Sequence, residues 1–233
     1  PFAVVGTAGT TNFGIIDDLA GLARLAKEKD LWFHIDGAYG LAGILVPELK
    51  ELYAGIEHAD SLIVDPHKWL FSPFDACALI YRNPALAKEV FSQHGEYLEP
   101  LQKNKDEWNP SDYALNLTRR ARGLPLWFSL ATHGVATYRD AIRANVELAH
   151  QAAKEIEKRD YLSLVRKPQL SVVVFERNGW EQADYDSWSE KLLAEQVALV
   201  LPSSLRGRPH TRFAIVNPMT TIELLIEILD SMK

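Results

Sequence analysis

The sequence predicts an α/β protein: a parallel sheet covered by helices on both faces, joined to a smaller α+β unit. Short apolar runs alternate with helical patterns over residues 1–92. Those runs are continuous rather than alternating with polar residues, as strands buried on both faces are. With 47% hydrophobic and 24% charged residues, the chain can build a sizeable core, which excludes a disordered or low-complexity protein.

Residues 2–5 read as the first strand, followed by the turn-rich Gly6-Thr7-Ala8-Gly9-Thr10-Thr11-Asn12-Phe13-Gly14. Asp17 and Asp18 serve as N-terminal acids of a helix over 19–29, where Leu19, Leu22, Leu25 and Ala26 mark one face. Residues 31–35, 61–64 and 77–81 are strands, and Asn83-Pro84 starts the next helix. Residues 93–117 are polar and weakly periodic, a length of connection that is uncommon unless functional. Two long helical patterns follow, around 124–133 and 135–158. Trp127, Phe128 and Leu130 read mostly as ordinary core. The rest is expected as strands 162–165 and 171–175, helix 185–195, strands 198–201 and 212–216, and helix 222–232. A boundary near residue 125 divides the chain into 1–125 and 126–233.

Charge and composition exclude further classes. Lys and Arg number 25 against 31 Asp and Glu, a net charge of −6, so no basic footprint for nucleic acid is present. No run approaches the ~18 apolar residues of a membrane span. No basic segment precedes the opening apolar run, so no signal peptide is expected. The single Cys77 excludes an internal disulfide and a thiolate zinc cage, and a reducing cytoplasm is the expected setting. Because the chain opens on Pro1 inside an apolar run, it is expected to be a piece of a longer protein.

Three segments carry candidate chemistry. Asp65-Pro66-His67-Lys68-Trp69-Leu70-Phe71 follows a strand, and ligands of parallel sheets sit at carboxyl ends. A partly desolvated Lys68 there can act as a nucleophilic amine; a surface lysine after a turn is the alternative. Trp32-Phe33-His34-Ile35-Asp36-Gly37-Ala38-Tyr39-Gly40 places Asp36 at another carboxyl end, with small residues behind it that let a flat group approach. Asp36 either holds a protonated ring nitrogen or caps the next helix. His34 lies on the same strand face and reads as a packed histidine. Gly9-Thr10-Thr11 can bond an anion or ring substituent, or be an ordinary turn. A rival reading joins His34, Asp36 and His67 into a divalent-metal site of a hydrolase, which leaves Lys68 and the Gly-Thr-Thr turn without a role.

Together the segments resemble the group II pyridoxal-phosphate-dependent amino-acid decarboxylases, close to the aromatic L-amino acid branch and covering that family's C-terminal half. The matching pieces are Gly9-Thr10-Thr11-Asn12-Phe13-Gly14-Ile15-Ile16-Asp17, His34-Ile35-Asp36-Gly37-Ala38-Tyr39-Gly40 and Asp65-Pro66-His67-Lys68-Trp69. They continue in Leu117-Thr118-Arg119-Arg120-Ala121-Arg122-Gly123-Leu124 and in Arg212-Phe213-Ala214-Ile215-Val216-Asn217-Pro218. The resemblance implies fold type I (aspartate aminotransferase-like), with the C-terminal part of the large cofactor-binding domain over 1–125 and the small domain over 126–233.

It also implies roles. Lys68 forms the Schiff base with pyridoxal 5'-phosphate, and Asp36 pairs with the pyridinium nitrogen. Ala38 packs on the ring, Thr11 bonds near its substituents, and His67 lies beside the phosphate and the Schiff base as a further catalytic residue. Arg212 is near the substrate carboxylate and Thr118 lines the side-chain pocket. Tyr97 sits on a closing loop as proton donor to the α-carbon. A tyrosine there implies decarboxylation to an amine and carbon dioxide, where related aromatic aldehyde synthases carry phenylalanine. The expected substrate is an aromatic L-amino acid, and the expected assembly is a homodimer that needs the family's N-terminal half. An inactive fragment is the remaining alternative. Asp65 departs from the asparagine of the animal aromatic enzymes, and a carboxylate there would repel the phosphate.

Overall fold

A computed structural model of the chain describes residues 1–93, 95 and 108–233. The first sheet holds β1 (Ala3–Thr7), β2 (Trp32–Asp36), β3 (Ser61–Val64) and β4 (Ala78–Tyr81) in that order. Strands β1, β2 and β3 run parallel, in a register that sets Thr7 beside Asp36 and Asp36 beside Ile63. The expected all-parallel sheet needs one correction: β4 is antiparallel to β3. A parallel return needs a crossover of a dozen or more residues, usually helical, and 65–77 forms turns without a helix.

Helix α1 (Leu19–Lys29) covers β1 and β2 and occupies the expected span. Asp18 is its N-cap and accepts from Gly21 N at 2.8 Å. Asp17 does not belong to the helix start; its Oδ2 accepts from Thr7 N at 2.8 Å and fixes the end of β1. Asn83 caps α2 (Pro84–Phe91) through Ala85 N, with Pro84 in the first turn as the sequence expects.

Helix α3 (Gly123–Glu157) is kinked at Gly134, whose φ of 76° is non-helical. The two helical patterns of the sequence are its two arms. The second arm is core: Ile142 and Val146 join the core of the first sheet, and Ala149, Ala152 and Ile156 join that of the second. The first arm is not. Trp127 and Phe128 are exposed, and Leu130 is only partly covered, so the core reading of this stretch is corrected.

The second sheet is antiparallel, in the order β5 (Leu162–Leu164), β6 (Val172–Arg177), β8 (Arg208–Ala214), β7 (Pro202–Leu205). Helices α4 (Gln182–Ala194), α5 (Ile222–Asp230) and the second arm of α3 close its core around Val173, Phe175, Tyr185 and Leu229. The apolar run 198–201 was expected as a strand, but β7 follows it. Arg206 and Gly207 both have positive φ, the requirement of a two-residue hairpin turn, and that turn sets β7 and β8 on either side of it. The run itself is an extended connector that buries Val200 and exposes Leu199 and Leu201.

The two sheets meet tightly. The Tyr39 hydroxyl and Ser171 Oγ share a 2.5 Å hydrogen bond, and Ser171 N donates to the same hydroxyl. A Cβ on Gly9 would come within 2.6 Å of Gly40 Cα, so the loops after β1 and β2 pack backbone to backbone only because both are glycine. Among the described residues no helix is long and apolar enough to cross a membrane.

Candidate active site

The parallel strands bring the segments of two expected residues out at the same end of the sheet. Asp36 ends β2, and Lys68 lies in the turns that follow the adjacent, parallel β3. Asp36 is exposed, and its Oδ1 accepts from Ala38 N at 3.1 Å, a local turn rather than a helix cap. No other partner occupies its carboxylate among the described residues. Gly37 cannot carry a side chain: a Cβ would lie 2.5 Å from Leu41 Cβ and 3.0 Å from the Ile63 carbonyl.

Lys68 Nζ lies 2.9 Å from Asp65 Oδ2, with the lysine side chain 43% exposed. Asp65 also lies near the Cys77 thiol. Burial foremost, then Asp65, pushes that thiol up to about 11, so it stays neutral; Lys68 and Asp36 are both near enough to bias it. Asp65 is therefore paired with Lys68, so its charge is offset within the chain.

The backbone that carries Lys68 is anchored from behind. Trp69 is fully buried, stacks on Tyr39 at 5.1 Å and donates from Nε1 to Asn145 Oδ1 at 3.0 Å. Asn145 Nδ2 donates on to the Asn217 carbonyl. Burial raises the Tyr39 phenol to about 12, so it stays neutral in this network. His67 turns the other way. Its Nδ1 lies 2.6 Å from the Ala76 carbonyl and 3.1 Å from Ala76 N, leaving Nε2 for a ligand.

The turn after β1 forms a second group. Thr10 Oγ1 accepts from Ile15 N, while Thr11 is exposed beside it. Arg212, on β8, donates from Nη1 to Asn12 Oδ1, which draws the second sheet onto this turn. Asn12 carried no signal in the sequence beyond its place after Thr11, and Cys77 none beyond being the only thiol. Thr118 is exposed, and Tyr97 lies outside the described residues.

The rival metal set is not assembled. His34 Nδ1 shares a 2.7 Å hydrogen bond with Ser61 Oγ, and His67 Nδ1 is held by Ala76. Among the described residues no group of three His, Cys, Asp or Glu could hold a metal ion.

Residues 1–178 match the family model described as the pyridoxal-dependent decarboxylase conserved domain. The chain belongs to this family. An aromatic-L-amino-acid decarboxylase of Bacillus atrophaeus is 35% identical over 241 residues, covering 100% of this chain and 50% of the relative. An L-2,4-diaminobutyrate decarboxylase of Rhizobium meliloti (strain 1021) is 33% identical over 99% of this chain and 48% of its own. Among solved structures, Oryza sativa TDC with PLP and tryptamine superposes with a TM-score of 0.90 at 25% identity, over 99% of this chain and 50% of that one. The chain spans about half the length of the curated relatives it matches. Its two sheets are part of a fold-type I architecture.

The residues fit the cofactor of this family. Pyridoxal 5'-phosphate needs an amine for its aldehyde, an anion for its ring nitrogen and a close-approaching backbone. Lys68, Asp36 with an unclaimed carboxylate oxygen, and the Gly37-Ala38 segment are those three features in one place.

Proposed function

We propose that the full-length protein is a pyridoxal-phosphate-dependent carboxy-lyase that converts an aromatic L-amino acid to its amine and carbon dioxide. The observation that supports this best is the pairing of Asp36 and Lys68 at the carboxyl ends of adjacent parallel strands. The cofactor supplies an electron sink for the pair left on the α-carbon when the carboxylate departs. The chain's residues supply the rest. Lys68 holds the cofactor through its amine, with Asp65 orienting that amine beforehand. Asp36 keeps a proton on the ring nitrogen by charge. Ala38 offers a flat contact for the ring face, Thr11 a hydroxyl for its substituents, and His67 its Nε2 for the phosphate.

Arg212 takes the substrate carboxylate, and Thr118 lines the pocket for the substrate side chain. Tyr97 closes over the site, excludes water and delivers its phenolic proton to the α-carbon. The relatives' names support an aromatic substrate: the Bacillus enzyme is named for aromatic L-amino acids, and the rice enzyme was solved with tryptamine. The exposed Leu124, Trp127 and Phe128 on the first arm of α3, with Val135 just past the kink, support assembly as a homodimer. We place the protein in the cytoplasm and the domain boundary at 125/126, within the first turn of the helix both cores share.

The test is a substrate panel of tryptophan, tyrosine, dihydroxyphenylalanine, histidine and glutamate with the full-length protein. An aromatic substrate giving amine and carbon dioxide in equal amounts is expected. Tyr97→Phe should divert the product to aldehyde, ammonia and peroxide with oxygen uptake. Turnover of glutamate alone, or amine formation by Tyr97→Phe at the parent rate, contradicts the substrate and the proton donor respectively.

A further inference from the structure

Arg212 stands out among the arginines of the second sheet. It is partly buried, and no carboxylate pairs with it among the described residues, whereas Arg208 four residues earlier meets Glu176 at 2.9 Å. Burial alone draws its guanidinium below the ordinary arginine value, although arginine keeps its charge throughout. An uncompensated, partly desolvated cation is costly unless something bonds it. Here the bond comes from Asn12 Oδ1, on a loop of the other sheet. The neighbouring residues repeat the contact. Phe13 packs on His210 with ring centroids 5.6 Å apart, and His210 lies two residues before Arg212 on the same strand face.

The chemistry of the acceptor matters. A carboxylate at residue 12 would orient the guanidinium equally well but would cancel its charge. An amide oxygen orients it and leaves the charge, with the remaining N–H donors, for an incoming anion. We propose that Asn12 is a positioning residue that aims Arg212 at the substrate carboxylate while keeping its charge unpaired. This rests on the reading of Arg212 given above.

The test compares Asn12→Asp, Asn12→Ala and Arg212→Ala in the full-length holoenzyme. The readouts are KM and kcat for the amino acid and the inhibition constant of the product amine, which has no carboxylate. Asn12→Asp is expected to raise KM roughly ten- to hundredfold, the range for losing a charge-assisted bond, with a much smaller change in kcat. Amine inhibition should stay at the parent value. Asn12→Ala, which adds no charge, should raise KM several-fold in the same pattern and serves if the aspartate variant fails to fold. Adding Asn12→Asp to Arg212→Ala should raise KM no further. The proposal is overturned if the Asn12 variants keep the parent KM while Arg212→Ala raises it. It is equally overturned if they weaken amine and amino acid alike, which marks a general structural role. If Arg212→Ala itself leaves KM unchanged, the Arg212 reading fails, and the proposal with it.

Discussion

Strands β1, β2 and β3 all point their carboxyl ends one way, whereas the strands of the second sheet alternate in direction. Parallel strands gather the residues that follow them, and this is how Asp36 and Lys68, which belong to separate sequence segments, come to share one edge. The antiparallel sheet gathers no such edge. It closes a core instead, with α4, α5 and the second arm of α3 around Val173 and Phe175. The first sheet leaves Val5 on β1 and Ile80 on β4 more than half exposed. Both sheets carry a buried core, but the candidate cofactor residues Asp36 and Lys68 follow strands of the first, so substitutions in the core of the second should affect stability apart from turnover.

The largest effect on turnover is expected from Lys68→Ala in the full-length protein. Activity should fall to the detection limit, while stability measured without cofactor stays within about 0.5 kcal/mol, as for other changes of an exposed side chain. Asp36→Asn should lower kcat by roughly 10²–10³, the scale of a lost preorganised electrostatic contact, with cofactor still attached. The second sheet should answer in the opposite way. Phe175→Ala, at a fully buried site, should cost about 3–5 kcal/mol in denaturant unfolding, yet leave kcat of the folded enzyme at the parent value. Loss of turnover without loss of stability in that variant would break the division.

A smaller effect follows from His210, which burial holds below its ordinary value of 6.5. Arg212 opposes its protonation, while Glu176 and the Arg208 backbone favour it. Because the folded state resists the proton, the stability tied to neutral His210 is complete above pH 6.5 and declines as pH falls below it. Unfolding free energies between pH 8 and 5 should show this decline, and His210→Gln should flatten it. The smallest change is expected from Asp18→Ala, which removes the N-cap of α1: about 1 kcal/mol of stability, with no effect on turnover.

The legible part of the molecule was the part governed by local rules. Helix α1 and strand β3 sit at their expected positions because apolar periodicity and caps determine them. The Gly134 kink was readable as a break between two helical patterns. Contacts across the chain were not readable. The direction of β4 depended on the absence of a crossover helix, and the position of β7 on the Arg206-Gly207 turn, which the apolar run at 198–201 outweighed. At the site, motifs and the family resemblance singled out Lys68, Asp36 and Arg212 as candidates, whereas the contacts of Asp65 with Lys68 and of Asn12 with Arg212 depend on geometry that the motifs do not state.

Lys68 and Asp36 are proposed to form one cofactor site. Borohydride reduction of the full-length protein carrying pyridoxal phosphate, followed by mapping of the labelled peptide, tests it directly. One label per chain is expected on Lys68, retained in Asp36→Asn. A label on another lysine, or none in a protein that is otherwise active, would contradict it.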